Sequence, residues 1–278
     1  MENTENKGIL YVVGTPIGNL SDLSPRAAQT LEEVDFIAAE DTRVTVKLLN
    51  HLGIKKPMIS YFEHNKQQRG ELICQRILKG ESCAVVTDAG MPCISDPGEE
   101  LVRQCAELGI PTRVVPGPSA VISALCVSGL STGRFTFEGF LSVNKKSRKE
   151  HLEALQTERR TMIFYEAPHK LPNTLRDLYS AFGERKLTIV REITKLHEEV
   201  IRTNTREAAE VYADGSLKGE MVLILEGGSL ECKQEFTLSE AVEMARKMIE
   251  DGAKPTQAAK DAALATGLKK NDIYRELI

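Results

Sequence analysis

Short apolar runs rich in β-branched residues alternate, along the first half of the chain, with stretches in which apolar positions recur at helical spacing. The runs cover residues 9–14, 35–39, 83–88 and 112–116. Runs of this length, separated by helical segments, are typical of parallel strands joined by crossover helices. The pattern therefore predicts an α/β domain over residues 1–130.

The same alternation restarts after the segment GLSTG at residues 129–133, which reads as a linker. Strand-like runs follow at 135–140, 161–166, 186–192, 200–203 and 220–227. We predict a second α/β domain over residues 134–230, with a more mixed strand arrangement than the first.

The last segment, residues 236–278, has a purely helical pattern. Thr237 and Glu240 have the spacing of a capping box, and apolar positions at helical spacing follow them. Two shorter helices are predicted at 255–265 and 270–277, with a break at Thr266-Gly267. The pair resembles a helix-turn-helix that binds nucleic acid, but its nearly neutral charge favours a small helical cap packed on the second domain.

The composition suits two folded domains, because 41% of the 278 residues are hydrophobic and 27% are charged. No run approaches the roughly 20 apolar residues of a membrane span, and the first residues do not resemble a secretory signal. We expect a cytoplasmic protein with no membrane partner. The six cysteines form no C-x-x-C pair, which predicts reduced thiols and no bound metal.

Charge is unevenly distributed along the chain. The net charge is −4, yet residues 134–206 carry 15 basic and 10 acidic side chains, a local net charge of +5. The overall sign argues against a protein that coats nucleic acid indiscriminately. The basic zone is suited to contact phosphate groups, and a solvated surface is the alternative explanation.

Gly and Pro residues are concentrated directly after three predicted strands of the first domain. These loops cover residues 14–19, 88–98 and 116–120. Ligands of α/β sheets bind beyond the carboxyl ends of the strands, where glycine allows the backbone to approach a ligand closely. No G-x-G-x-x-G or P-loop motif occurs, so the loops predict a small-molecule pocket of another kind.

Carboxylates, cations and a histidine follow other predicted strands, in the segments 39–43, 165–170 and 191–198. Such side chains at strand ends are suited to acid–base chemistry and phosphate contact. Structural roles explain them as well. Asp41 could cap a helix, His169 could be an exposed helix-start residue, and Glu192 could pair with Lys195 on the surface.

Seven segments between residues 8 and 227 occur in a recognisable order: VGTPIGNLSDLSPRA, AAEDTRVTVKLL, TDAGMPCISDPG, PGPSA, FEGF, FYEAPHK and REITKLHEE. In this order they resemble the tetrapyrrole methylase superfamily, and most closely its branch that acts on ribosomal RNA. The AEDTR and FYEAPHK segments are typical of that branch, whereas the Gly/Pro loops are shared by the superfamily.

The resemblance implies a homodimer of two-domain chains that bind S-adenosylmethionine in the cleft between the two α/β domains, with the small helical region at the C-terminus. It also implies which residues neighbour this cofactor. They are Ile17, Met91, Ile94, Ser119, Ala120, Tyr165, Glu192 and Met221.

The activity implied is methylation of a cytidine ribose 2′-hydroxyl in the 16S rRNA of the small ribosomal subunit. The candidate catalytic residues are Glu166, His169, Asp41 and Arg43, with a general base among the first three. The candidate RNA contacts are Lys170, Arg191 and Lys195, together with Lys145, Lys146, Arg148 and Lys149 on a mobile loop. A solvated helix start is the alternative for that loop.

Two other functions remain open at this point. A sister enzyme that methylates a corrinoid or another tetrapyrrole would need an aromatic-lined cavity, and aromatic residues make up only 5% of the chain, with no Trp. A non-enzymatic RNA-binding factor is the second alternative, and the intact Gly/Pro loops argue against it.

Overall fold

A computed structural model describes residues 8–228, 237–266 and 268–277. Its strands are β1 (Leu10–Val13), β2 (Phe36–Ala39), β3 (Met58–Ser60), β4 (Cys83–Val86), β5 (Thr112–Val115), β6 (Phe135–Phe140), β7 (Thr161–Glu166), β8 (Lys186–Arg191), β9 (Glu199–Asn204) and β10 (Met221–Leu225). Its helices are α1 (Pro25–Glu33), α2 (Thr42–Leu52), α3 (Lys66–Leu78), α4 (Glu99–Glu107), α5 (Ala120–Ser128), α6 (Lys145–Ala154), α7 (Leu171–Phe182), α8 (Thr205–Val211), α9 (Leu238–Glu250), α10 (Pro255–Thr266) and α11 (Lys270–Arg275).

The first sheet has the strand order β3-β2-β4-β1-β5, and all its neighbouring strands are parallel, as predicted. Its central strands are buried on both faces. Consecutive residues such as Phe36 and Ile37 point to opposite faces and belong to two separate apolar clusters. The short edge strand β3 was not predicted from the sequence. The carboxyl ends of β1, β4 and β5 bring the three Gly/Pro loops to one edge of the sheet.

The second sheet has the order β6-β7-β10-β8-β9 and is mixed, as predicted, since only β6 and β7 run parallel. Helices α6, α7 and α8 contribute to the apolar cluster on one face. Helix α5 covers the other face, where Val121 and Leu125 pack with Ile163 and Val190. Helix α5 precedes the predicted linker, so an element of the first predicted domain completes the core of the second sheet.

The chain divides into two compact units, Met1–Gly227 and Gly228–Ile278. The first unit contains both sheets. In the second unit, α9, α10 and α11 enclose a small core of alanines, Val242 and Ile273. The predicted capping box is confirmed, since Thr237 and Glu240 each accept a backbone hydrogen bond from the other. The predicted break at Gly267 and the predicted domain limits at 230 and 236 lie outside the described residues.

No described helix is both long and apolar enough to cross a membrane.

Candidate active site

The three Gly/Pro loops at the edge of the first sheet contact one another directly. Thr15 forms a β-bridge with Gly90, and its buried hydroxyl donates a hydrogen bond to the carbonyl of Thr87 at 3.1 Å. A Cβ atom at Gly14 would lie only 2.7 Å from the Cα atom of Gly117. Glycine is therefore required where the first and third loops pass each other.

The second loop, between β4 and α4, has an unusual backbone. Cys93 and Ser95 have φ angles of 73° and 63°, in the left-handed region that non-glycine residues rarely adopt. Such conformations persist where the surrounding structure enforces them, and they cluster at ligand sites. Here the strained backbone turns Ser95 and Asp96 toward the cavity described next.

A cavity of about 420 Å³ lies between the loops of the first sheet and the ends of β7, β8 and β10. Seven of the eight residues that the family resemblance assigned to the cofactor line this cavity: Ile17, Met91, Ile94, Ser119, Ala120, Tyr165 and Met221. They come from both sheets, so the fold brings together positions that are up to 204 residues apart in the sequence. The sulfur of Met91 also accepts a hydrogen bond from the Gly117 amide at 3.3 Å, which ties two of the loops together.

The eighth residue, Glu192, lies behind the cavity wall. Its carboxylate accepts a hydrogen bond at 2.9 Å from the backbone amide of Glu220, a residue that does line the cavity. The same carboxylate forms an ion pair with Lys195 at 3.1 Å. The backbone hydrogen bond, with Lys195 beside it, lowers the pKa of Glu192. Glu192 therefore supports the wall of the cavity.

Tyr165 forms an aromatic part of the wall. Its ring packs against Phe137 and Phe140, with ring centroids 4.9 Å and 5.4 Å away. Burial raises the pKa of Tyr165 to about 12, so its hydroxyl stays neutral at physiological pH.

Asp96 also lines the cavity, and sequence reasoning did not single it out. Its half-buried carboxylate has no hydrogen-bond partner among the residues that the structure describes. Burial raises its pKa to about 6, and the nearby carboxylates of Glu40 and Asp88 add to the shift. Its position within the 88–98 loop is the sequence signal for Asp96, although glycine and proline dominate that loop.

Glu166, the first of the candidate catalytic residues, ends strand β7 at the edge of the cavity. It is only 4% exposed. One carboxylate oxygen accepts a hydrogen bond from the Ala167 amide at 2.8 Å, and the other accepts one from the hydroxyl of Thr174 on α7. Both oxygens are thus engaged within the protein.

Asp41 and Arg43 do not line the cavity. Asp41 caps α2 by accepting a hydrogen bond from the Arg43 amide at 2.8 Å, so the capping alternative is correct for this residue. The Arg43 side chain forms an ion pair with Asp41 at 2.6 Å and is 89% exposed. Hydrogen bonds from Arg43 lower the pKa of Asp41 to about 2, which makes its carboxylate a weak base.

His169 lies on the turn between β7 and α7, and its side chain is exposed. Its neighbour Pro168 lines the cavity. No hydrogen bond to the imidazole occurs within the described part of the chain, so the ring is free to contact a ligand.

The predicted RNA-contacting cations fall into two groups. Arg191 pairs with Glu199 at 2.6 Å, and Lys195 pairs with both Glu192 and Glu220, so these two cations stabilise the segment after β8 and the segment before β10. The other five lie on or directly before two helices: Lys145, Lys146, Arg148, Lys149 and Lys170.

The prediction that residues 145–149 form a mobile loop is wrong. They are the first turn of helix α6, and Asn144 caps it by accepting hydrogen bonds from Lys146 and Ser147 amides at 3.0 and 3.1 Å. The alternative of a solvated helix start describes the exposed lysines correctly. Arg148 differs, since it is 14% exposed and bonds to Asp177 at 2.6 Å.

Comparison with known proteins identifies the family. A family model described as Tetrapyrrole (Corrin/Porphyrin) Methylases matches residues 9–209. Ribosomal RNA small subunit methyltransferase I of Synechocystis sp. is 45% identical over 269 residues, which cover 96% of each chain. The protein of the same name from Halalkalibacterium halodurans is 43% identical over 276 residues, 98% of this chain and 96% of that protein.

A solved structure supports the fold assignment. Uroporphyrin-III C-methyl transferase from Thermus thermophilus, complexed with S-adenyl homocysteine, matches with a TM-score of 0.54. The match covers 79% of this chain and 97% of that chain, and the 16% identity means that it shows the fold alone. The chain therefore belongs to the tetrapyrrole (corrin/porphyrin) methylase family, in which it groups with the proteins named ribosomal RNA small subunit methyltransferase I.

Proposed function

We propose that this chain is an S-adenosylmethionine-dependent methyltransferase that methylates the 2′-hydroxyl of a cytidine in the 16S rRNA of the small ribosomal subunit. The observation that carries the proposal is the single cavity lined by seven of the eight expected cofactor residues. The name of relatives that match nearly the whole chain at 43–45% identity supports the acceptor class.

The cavity fits the proposed cofactor in size and chemistry. Its volume of about 420 Å³ is in the range of small-molecule sites. Ile17, Ile94 and Val222 provide apolar surface, and the unpaired carboxylate of Asp96 is suited to a positively charged ligand. S-adenosylmethionine carries such a charge on its sulfonium and amino groups.

The cofactor, when bound, supplies a methyl group on a good leaving group. The residues of this chain then have to bind and orient the acceptor and remove its proton. The half-buried Tyr165 and the buried Met221 would exclude water from the methyl group.

We propose His169 as the general base that accepts the proton of the ribose hydroxyl. Glu166 has both oxygens engaged, and the pKa of Asp41 is too low for an effective base. His169 is exposed beside the cavity-lining Pro168, and imidazole is the side chain that most often acts as a general base. Arg43, which is almost fully exposed at the same edge of the first sheet, would contact a phosphate of the RNA.

We also propose that the active form is a homodimer. Strand β5 is an edge of the first sheet, and Val114 on it is exposed. Helix α5, which follows, exposes Ile122 and Val127. Exposed edge strands and apolar helix faces are usually covered in the native state, and a second copy of the chain would cover both.

The experiment that tests the activity is transfer of a labelled methyl group from S-adenosylmethionine to small ribosomal subunits isolated from cells that lack this gene. Mass spectrometry then identifies the modified nucleotide. We expect one 2′-O-methylated cytidine, and no further incorporation into subunits from cells that retain the gene. Tight cofactor binding without methyl incorporation into either preparation of small subunits would reject the RNA acceptor. A small molecule such as a tetrapyrrole would then be the acceptor to test.

A further inference from the structure

A second and larger cavity lies outside the proposed cofactor site. It is a groove of about 800 Å³ between helices α6 and α7. Four cations line it, Lys145, Arg148, Lys149 and Lys170, against the two carboxylates of Glu153 and Asp177. The groove is therefore a basic feature of a chain whose net charge is negative.

The charges in the groove are only partly compensated. Asp177 is paired with Arg148 at 2.6 Å, and Glu153 approaches Lys149 at 3.6 Å. Lys145 and Lys170 form no ion pair among the described residues. Their ammonium groups remain available to an anionic ligand, and they account for part of the +5 charge of residues 134–206.

The groove also offers apolar surface beside these charges. Val143 and Leu152 belong to its lining, and Val143 is 79% exposed. A polymer that combines phosphates with apolar ring faces matches this mixture. An acidic peptide would match it only if apolar side chains lay beside its carboxylates.

The groove and the proposed cofactor cavity are separated by one turn of the backbone. Pro168 lines the cavity and Lys170 lines the groove, so their Cα atoms can be at most about 7 Å apart. A hydrogen-bonded chain also joins the two sites, because Arg148 donates to Thr174 and Thr174 donates to Glu166. A strand that places one ribose at the cavity would extend into the groove.

We propose that the α6–α7 groove binds the phosphodiester backbone of the RNA strand that flanks the methylated nucleotide. This inference rests on the proposed function, since it assigns a binding site to the same RNA substrate. Lys145, Lys149 and Lys170 provide the phosphate contacts. Arg148 holds the groove wall in place through its bonds to Asp177 and Thr174.

The test uses the full chain with three lysines changed together, Lys145→Ala, Lys149→Ala and Lys170→Ala. The matched control removes three exposed lysines elsewhere in the same unit, Lys55→Ala, Lys79→Ala and Lys186→Ala, so that both variants lose the same charge. Binding of a fluorescent single-stranded oligoribonucleotide is measured by anisotropy over a series of salt concentrations. Cofactor binding is measured by calorimetry.

The measured quantity is the slope of log K against log salt concentration. We expect this slope to be shallower by about 2 for the groove variant, because each of three lost phosphate contacts to a single strand contributes about 0.7. The control variant should keep nearly the wild-type slope. Cofactor affinity should be unchanged in both, and the KM for small subunits should rise only in the groove variant.

Equal slopes for the groove and control variants would overturn the groove assignment and leave the proposed function in place, provided that the wild-type chain binds RNA and methylates small subunits. A wild-type chain that binds no RNA and methylates no subunits would reject both. Binding of an acidic peptide that depends on the same three lysines, with RNA binding unaffected, would assign the groove to a protein partner and overturn the proposal.

Discussion

The hydroxyl of Thr174 donates a hydrogen bond to the carboxylate of Glu166 and accepts one from the guanidinium of Arg148 at 2.8 Å. A hydroxyl can donate and accept at the same time, so Thr174 links Arg148 to Glu166. Because Thr174 and Glu166 are both buried, this link holds the end of β7 against α7.

Removal of the Thr174 hydroxyl should destabilise the fold. Thr174→Val leaves an oxygen of Glu166 without its donor in a buried position, and we expect the free energy of unfolding to fall by about 1–3 kcal/mol. Thr174→Ser keeps the hydroxyl and serves as the control. Urea denaturation of the two variants gives the comparison, and equal stabilities would show that the hydroxyl does not hold the carboxylate.

Cofactor affinity should depend on pH through Asp96. Its pKa is raised to about 6 by burial, so the carboxylate that would face a cationic cofactor is mostly protonated at pH 5. We expect the affinity for S-adenosylmethionine to increase as the pH rises through 6, with binding at pH 5 weaker by about tenfold than at pH 7.5. Calorimetry over this range measures the effect.

The control for this prediction is Asp96→Asn, which should bind weakly and with little pH dependence. In the ligand-free protein, the same carboxyl group makes the stability of the fold depend on pH in the opposite direction. Its pKa in the folded protein lies above the usual aspartate value of 3.8, so its contribution to stability is present below pH 3.8 and is lost as the pH rises through about 6. A wild-type affinity that stays constant from pH 5 to pH 7.5 would exclude Asp96 from contact with the cofactor's charge.

Turnover should depend on His169. If the imidazole accepts the ribose proton, His169→Asn should lower kcat by about 10²-fold or more, with an unchanged Kd for the cofactor. His51→Asn, at another exposed histidine on α2, is the matched control. Single-turnover methylation of small subunits gives the rate. Full activity of His169→Asn together with loss of activity in Glu166→Gln would transfer the role of base to Glu166.

The close approach of two loops should make Gly14 intolerant of a side chain. In Gly14→Ala the added Cβ would lie 2.7 Å from the backbone of Gly117, and overpacking of this kind costs about 1–3 kcal/mol of stability. Gly133→Ala is the control, because nothing lies within 4 Å of its added Cβ. Urea denaturation should show lower stability, and calorimetry weaker cofactor binding, only for Gly14→Ala. A Gly14→Ala protein as stable as Gly133→Ala would show that the loops can separate.

The sequence was sufficient to predict most strands and the edge where the loops meet, because long apolar runs are decided by local pattern. Strand β3 was missed, since Met58–Ser60 is three residues long and only half-buried at the sheet edge. Helix α6 was misassigned to a loop although Asn144 offers a cap and Lys146 lies four residues before Glu150. Four cations within five residues, with no apolar residue among them, hide these local helix signals in the sequence.

The site was predictable only in part. Cofactor neighbours such as Ile17 and Ser119 followed from the family resemblance, and the structure places them in one cavity. The bonds that occupy Glu166 and Arg148 depend on Thr174 and Asp177, which lie on α7, and no local pattern reveals such pairs. The raised pKa of Asp96 likewise arises from burial and from carboxylates that are distant in sequence.

The proposed homodimer predicts that a charge on the exposed face of α5 will separate the subunits. Ile122→Arg places a cation on an apolar helix face that a second chain would bury, so we expect dimers to become monomers in sedimentation equilibrium. Leu72→Arg is the control, because Leu72 is similarly exposed on α3, away from β5 and α5. Dissociation by Ile122→Arg alone would assign the interface to α5. If the wild-type chain is monomeric at every concentration, or if both variants remain dimeric, α5 is not the dimer interface and its apolar face requires another explanation.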